Sequence, residues 1–235
     1  MAATLDTKSI LELTEDQFFQ IWEHNGEMRI MCNAEGEIVL IPLEASTMET
    51  DVTPFVDMTE DQFFVFCQRT HDVRIERNAE GVILIMPPTG AATGNRNAEL
   101  TTQLHLWTKR DGTGIAFDSS TGFHLPNGAT RSPDASWVLR WRYDELTRRE
   151  QDRFLPLCPD FAIELKSPSD RIPVLKKKME EYIDNGLQLG WLIVPPQKTV
   201  YIYRPHVPVE VLENPNSLSA DPILPGFVLD LSDIW

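Results

Sequence analysis

Two acidic residues and one lysine are spaced so that they could form a metal-dependent hydrolytic site. Glu164 and Lys166 are two residues apart in an apolar segment that is typical of a β-strand, so both side chains leave the same face. Asp134 lies at the start of a second apolar segment. If the two strands are neighbours, the three side chains converge. Two carboxylates can hold Mg²⁺, and a lysine beside them can orient a water or contact a phosphate, which is what phosphodiester cleavage requires.

Each of these residues also has a structural interpretation. Asp134 follows a proline and could cap a turn. Glu164 would be costly inside an apolar strand without a charge partner, so it could form a structural salt bridge with Lys166 or a nearby arginine. Asp118, on a preceding strand, could be an additional ligand. Asp160 is expected to cap or turn the chain.

The composition is that of an ordinary globular protein. Its 235 residues, 42% hydrophobic and 24% charged, suffice for one large domain or one domain with an appendage. The three cysteines lack CxxC spacing, which favours reduced thiols over a zinc site or a disulfide framework. There is no signal-peptide pattern at the start and no apolar run of membrane-spanning length. These features predict a cytoplasmic protein without a membrane partner.

The net charge of −15 is unevenly distributed along the chain. Residues 1–62 carry −12 and residues 206–235 carry −5, whereas residues 63–205 carry +2. The candidate site therefore lies in the neutral-to-basic part of the chain. Phosphate binding requires a locally basic surface and not a basic protein, although no strongly basic DNA-binding segment is present.

A direct repeat with a 45-residue offset occupies the first third of the chain. The segment TEDQFF occurs at residues 14–19 and 59–64, and NAEG occurs at 33–36 and 78–81. Each copy predicts a helix with a threonine N-cap followed by a β-hairpin whose turn is NAEG. The pattern favours a duplicated helix-hairpin unit that extends a sheet. A partner-binding or dimerisation role for the first copy is the alternative.

The rest of the chain predicts helices on a sheet, an α/β (α+β) fold. The predicted order is one helix, three strands, a second helix and two strands, with a possible further edge strand. The predicted helices are residues 93–109 and 173–185, and the predicted strands are residues 115–120, 135–139, 161–166, 190–194, 199–203 and 208–212.

This order, with PD followed by ExK, resembles the PD-(D/E)xK nucleases of the restriction-endonuclease-like fold. More closely, the chain is similar to the Uma family of endonucleases, which are common in cyanobacteria. The resemblance spans the predicted domain 58–235 and leaves 1–57 as an N-terminal extension that contains the first repeat copy. The matching segments are TGNRNAEL at 93–100, SPDASWV at 132–138, PDFAIELKSPSD at 159–170, KMEEY at 178–182 and GWLI at 190–193.

The resemblance implies residue roles and a chemistry. Asp134 and Glu164 would be ligands of Mg²⁺ or Mn²⁺, the backbone carbonyl of Leu165 would be a third, and Lys166 would be catalytic. Glu99 would reach the site from the first core helix, although a solvated position on that helix is also compatible with the sequence. The implied activity is endonucleolytic cleavage of DNA, with a homodimer needed to cut both strands of a duplex.

The sequence leaves open the role of three consecutive lysines and the choice between two functions. Lys176, Lys177 and Lys178 are consecutive on a helix and point in different directions, and Lys178 is the one expected to face the site or a nucleic-acid backbone. The alternative function is a catalytically silent binding or interaction module on the same fold.

Overall fold

A computed structural model of the chain describes residues 88–235 throughout, residues 59–69, 74–81 and 83–86, and three short strands nearer the N-terminus. The chain divides into two compact units, Met1–Pro88 with Gly128–Thr130, and Thr89–Asn127 with Arg131–Trp235. In chain order the described strands are β1 Ala3–Leu5, β2 Met28–Cys32, β3 Ile38–Pro42, β4 Arg74–Arg77, β5 Ile83–Met86, β6 Gly114–Asp118, β7 Phe123–His124, β8 Thr130–Arg131, β9 Ala135–Leu139, β10 Phe161–Leu165, β11 Leu189–Val194, β12 Thr199–Tyr203, β13 Glu210–Glu213, β14 Ser217–Ser219 and β15 Val228–Asp230. The described helices are α1 Glu60–Arg69, α2 Ala91–Asp111, α3 Arg140–Asp144, α4 Arg148–Gln151 and α5 Ile172–Asp184.

The first unit is built around the sequence repeat. Strands β2 and β3 form one antiparallel hairpin and β4 and β5 form the other, with Ile30 opposite Leu40 in the first and Ile75 opposite Ile85 in the second. These two pairings differ by the 45-residue offset of the repeat, so both copies share one register. Because β2 also pairs with β5, the two hairpins extend a single sheet, in the order β1-β3-β2-β5-β4.

The helix of the second repeat copy begins as its sequence predicts. Thr59 and Gln62 form a reciprocal capping box, in which the Gln62 amide donates to Thr59 Oγ1 at 3.3 Å and the Thr59 amide to Gln62 Oε1 at 2.9 Å. In the following turn Gly81 has a φ of 82°, which glycine adopts without strain. The helix predicted for the first copy lies outside the described residues.

The second unit is a six-stranded mixed sheet in the order β13-β12-β11-β10-β9-β6. Strands β10 and β11 are parallel and the other neighbours are antiparallel. A parallel pair requires a crossover, and α5 supplies it. Strands β9 and β12 have the predicted bounds, and β10 ends one residue before Lys166. This is the mixed sheet with flanking helices that the sequence predicts.

One face of this sheet is buried under an aromatic core. Phe161, Trp191 and Phe227 contact one another, with ring centroids 4.8 Å apart for Phe161 and Trp191 and 6.1 Å apart for Trp191 and Phe227. Trp107 of α2 packs on Phe227 at 5.5 Å, so α2 and the C-terminal segment cover the same face. Burying these rings makes β10 and β11 a rigid platform.

The opposite face of the sheet carries α5. Its buried residues Leu175, Met179 and Tyr182 recur at intervals of three and four, which places them on one side of the helix. Side chains alternate along β10, and since Phe161, Ile163 and Leu165 belong to the aromatic core, Glu164 belongs to the α5 face. None of the described helices combines the length and the apolar composition that a membrane span requires.

Candidate active site

Strand pairing brings Asp134 to the carboxyl end of β10. In the antiparallel register of β9 and β10, Ile163 is opposite Ala135, so Asp134 lies beside Glu164 and Leu165. The Leu165 amide donates to Asp134 Oδ2 at 2.8 Å. Both carboxylates are buried, with 6% of Asp134 and 2% of Glu164 exposed to solvent. The two acidic segments are therefore neighbours, which is the condition that the sequence set for a shared site.

Two residues of α5 hold the carboxylate of Glu164. Lys178 Nζ forms an ion pair with Glu164 Oε1 at 2.9 Å, and the Tyr182 hydroxyl donates to the same oxygen at 2.9 Å. Lys178 and Tyr182 are four residues apart, so they lie one above the other on the helix. A buried carboxylate requires such partners, because its charge is otherwise costly to remove from water. The two donors fix the orientation of Glu164 on the α5 face.

Lys178 is the lysine that the sequence expects to face the site, and the structure places its ammonium on Glu164. Tyr182 lies four residues after Lys178 on the buried side of α5. It is fully buried, but its hydroxyl also bonds Glu164, a role that sequence reasoning missed. The four-residue spacing of lysine and tyrosine places both on one helix face, but it does not reveal which residue of the sheet they contact.

Lys166 lies at the same edge of the sheet, one residue beyond β10. Its amide donates to the Ile193 carbonyl at 2.9 Å, which continues the pairing with β11. Its ammonium donates to the carbonyl of Ser167 at 2.8 Å, and the side chain is partly exposed. Lys166 is thus tethered near solvent, whereas Lys178 is enclosed.

Helix α2 contributes Asn97 to the surroundings of Asp134. Asn97 Nδ2 donates to Asp134 Oδ1 at 3.3 Å. Glu99 is two positions further on, a rotation of about 200° around the helix. Its Oε1 accepts a hydrogen bond from Gln103 Nε2 at 2.9 Å, and Gln103 also bonds the backbone of Asp230. Asn97 is a second residue that sequence reasoning missed, and an uncharged amide carries little signal of its own.

The other two acidic candidates have local partners. Asp118 is exposed, and its Oδ1 accepts hydrogen bonds from the amide and hydroxyl of Ser120, at 3.1 and 2.6 Å, in the turn after β6. Asp160 is buried and accepts from the Leu139 amide at 2.8 Å and from Arg142 Nη1 at 2.7 Å. These contacts give Asp160 the structural role that the sequence favours.

The oxygen donors at this end of β10 fit a hard divalent cation. Asp134 and Glu164 supply carboxylate oxygens and Leu165 supplies a backbone carbonyl, which are ligand types that Mg²⁺ and Mn²⁺ prefer. Within the described ranges no three His, Cys, Asp or Glu side chains cluster as a ready-made metal site. Mg²⁺ is commonly held by only one or two carboxylates together with waters and substrate phosphate, so a pair of carboxylates is compatible with it.

Comparisons with known proteins agree with this fold. Four chains of solved structures match, and one is the crystal structure at 1.96 Å resolution of a "putative nuclease belonging to DUF820" from Anabaena variabilis ATCC 29413. The two chains are 24% identical with a TM-score of 0.62, over 75% of this chain and 97% of that one. That likeness shows the fold. No curated protein matches. Residues 60–232 match the model of the Uma2 family, whose description is "Putative restriction endonuclease". Because the match spans most of the sequence, this chain belongs to the Uma2 family.

Proposed function

We propose that this protein is a Mg²⁺-dependent endonuclease that hydrolyses phosphodiester bonds of DNA at Asp134 and Glu164. The single observation that carries the proposal is Glu164, a buried carboxylate oriented by two donors next to the buried Asp134. Burying two acidic groups at one end of a strand is costly for stability, and functional sites are where proteins tolerate that cost. The Uma2 match and the nuclease-like fold support the same chemistry.

In this proposal Asp134 and Glu164 hold the cation, and the backbone carbonyl of Leu165 is a third protein ligand. Mg²⁺ and Mn²⁺ are both suited to these oxygen donors. When bound, the cation supplies positive charge opposite the charge that develops on the phosphate oxygens.

The protein side chains then have distinct tasks. Lys166, at the partly exposed end of β10, orients the water that attacks phosphorus. Lys178 and Tyr182 keep Glu164 in one orientation, and the Leu165 amide does the same for Asp134. Preorganisation of this kind lowers the barrier because the groups need not rearrange during the reaction. A catalytic role for Glu99 stays a prediction from the family resemblance. The hydrogen bond that Glu99 accepts from Gln103 is compatible with that role.

The proposed substrate is DNA, on the strength of the restriction-endonuclease description of the family. One such site acts on one strand, so we propose that cleavage of both strands of a duplex uses a homodimer.

The test is cleavage of duplex and single-stranded DNA with Mg²⁺ or Mn²⁺, compared with EDTA. A Glu164→Ala/Lys166→Ala double variant is run alongside, with its fold checked by circular dichroism and thermal unfolding. We expect metal-dependent cleavage that falls by at least about a hundredfold in the double variant, since one oriented electrostatic group is already worth 10²–10³. A folded wild-type protein that cuts no DNA with either metal would contradict the proposal and favour the silent binding module.

A further inference from the structure

The nitrogen of the Asn97 side-chain amide has a hydrogen-bond partner among the described residues, whereas its oxygen has none. Its Nδ2 donates to Asp134 Oδ1 at 3.3 Å. Its Oδ1 is buried and has no hydrogen-bond partner within the part of the chain that the structure describes. An unpaired buried acceptor costs about 1–3 kcal/mol, so it requires an explanation such as an ion, a water or a functional role.

The position of Asn97 is set by anchored neighbours. Arg96 Nε donates to the Ile234 carbonyl at 2.7 Å, and Leu100 is fully buried in the aromatic core. Helix α2 is therefore fixed on both sides of Asn97, and the amide is presented to Asp134 by a rigid element. Sites built on rigid elements hold their donors more accurately than sites built on loops.

We propose that Asn97 is a further ligand-bearing residue of the candidate metal site, with Oδ1 as an oxygen donor to the cation and Nδ2 as the group that orients Asp134. This inference rests on the proposed metal-dependent function. An amide oxygen is among the ligands of hard divalent cations, and it adds a donor without a third negative charge. This assignment accounts for both ends of the Asn97 amide. The Nδ2 group orients Asp134, and the buried Oδ1 gains a partner when the cation binds.

The test measures Mn²⁺ affinity of the full-length protein directly, from the electron paramagnetic resonance signal of free Mn²⁺. The variants are Asn97→Ala, Asn97→Asp and, as the matched control on the same helix, the exposed Asn95→Ala. Asp134→Ala identifies the signal as coming from this site. We expect Asn97→Ala to weaken Mn²⁺ binding by at least about tenfold, in the range seen when groups supporting a metal site are removed. Asn95→Ala is expected to match the wild type.

The Asn97→Asp variant distinguishes two roles of Asn97, which are binding the cation through an oxygen and donating a hydrogen bond to Asp134. It keeps an oxygen for the cation but loses the N–H group and adds a negative charge beside Asp134. We expect it to bind Mn²⁺ at least as tightly as the wild type and to melt at a lower temperature without metal, because the two carboxylates repel each other. A larger rise in melting temperature on adding Mn²⁺ than in the wild type would accompany this.

Two results would overturn the inference while leaving the proposed function intact. One is Asn97→Ala binding Mn²⁺ as tightly as the wild type, with Asp134→Ala still defective. The other is Asn97→Asp being as weak as Asn97→Ala, which would leave Asn97 only the role of bonding Asp134. A folded wild-type protein that binds no Mn²⁺ would overturn the proposed metal-dependent function as well.

Discussion

Glu164 illustrates how a charge is accommodated inside a buried strand. The strand is buried along its whole length, and Glu164 is 2% exposed. Lys178 and Tyr182 both contact Oε1, so the charge is compensated by one cation and one hydroxyl. The side chain of Lys178 is itself only 10% exposed, which makes the pair sensitive to loss of either member.

Replacing Lys178 by methionine tests this pair. Lys178→Met keeps the apolar part of the side chain but removes the ion pair of Lys178 with Glu164. We expect the free energy of unfolding to fall by about 3 kcal/mol, the low end of the cost of breaking a buried ion pair. DNA cleavage should fall as well, by about tenfold or more, because Glu164 is no longer held. Urea unfolding and cleavage rates measure the two effects.

The matched control is Lys177→Met, on the exposed side of the same helix. It removes the same charge from the protein without touching Glu164, so stability should change by less than about 0.5 kcal/mol. Equal effects of the two variants would show that the contact with Glu164 is unimportant.

The buried thiol of Cys158 makes the stability of the protein depend on pH. Burial raises the pKa of the Cys158 thiol to about 12. Because the folded-state pKa lies above the unfolded-state value near 8.5, the thiol stabilises the fold fully below that pH and progressively less as pH rises toward 12. The stability difference between wild type and Cys158→Ala should therefore shrink by about 2 kcal/mol from pH 7.5 to pH 10. Urea unfolding of both proteins at the two pH values measures it, and a difference independent of pH would contradict the shifted pKa.

At the scale of elements, the close pairing of β6 with β9 depends on a glycine. A methyl group at Gly114 would overlap the indole of Trp137, which is buried in the core and cannot move aside freely. Asp134 directly precedes β9, so the packing of this strand also sets the position of the candidate ligand. The glycine is therefore a packing requirement of the sheet beside the site.

We expect Gly114→Ala to lower the free energy of unfolding by about 1–3 kcal/mol through overpacking. The matched change is Gly94→Ala in α2, where the nearest atom to an added methyl is Thr89 Cγ2 at 3.7 Å, an ordinary contact. There alanine should be neutral or stabilise the protein by up to about 1 kcal/mol. Thermal unfolding compares the two, and a larger loss in Gly94→Ala would refute the packing argument.

The elements themselves were largely predictable from local patterns. The apolar runs of β9 and β12 have the predicted bounds, and α5 shifts by one residue at each end. Helix caps, turn glycines and runs of β-branched residues depend on only a few neighbouring positions. They can therefore be recognised in a single sequence. The contacts of Asn97 and Tyr182 were not predictable in this way, because they join α2 to Asp134 and α5 to β10 across many residues.

At the scale of the whole molecule, the duplicated hairpins raise the question of what the first copy contributes. Strand β2 of that copy pairs with β5 of the second copy, with Ile30 opposite Ile83. Deleting residues 1–57 would therefore remove β2 from one edge of β5 and expose the backbone N–H and C=O groups on that edge. An unpaired strand edge is a template for pairing with another chain.

We expect the 58–235 fragment to form larger oligomers than the full chain at equal concentration, measured by size-exclusion chromatography with light scattering. Its metal binding should persist, since Asp134 and Glu164 lie in the other unit. A fragment with the same mass distribution as the full chain would show that the first copy does not protect this edge.

What the sequence determined by itself is the fold class, the order of the core elements and the repeat, and it also nominated Asp134 and Glu164 as candidate ligands. These depend on periodicity, spacing and residue type, which are local or directly comparable along one chain. Only the tertiary structure decided that Lys178 and Tyr182 hold Glu164 and that Asn97 is the α2 residue bonded to Asp134. The physical reason is that a side chain's partner depends on which elements pack together and in what register. The free energy of that packing comes from many contacts across the aromatic core, which are distant in sequence from the residues that they position.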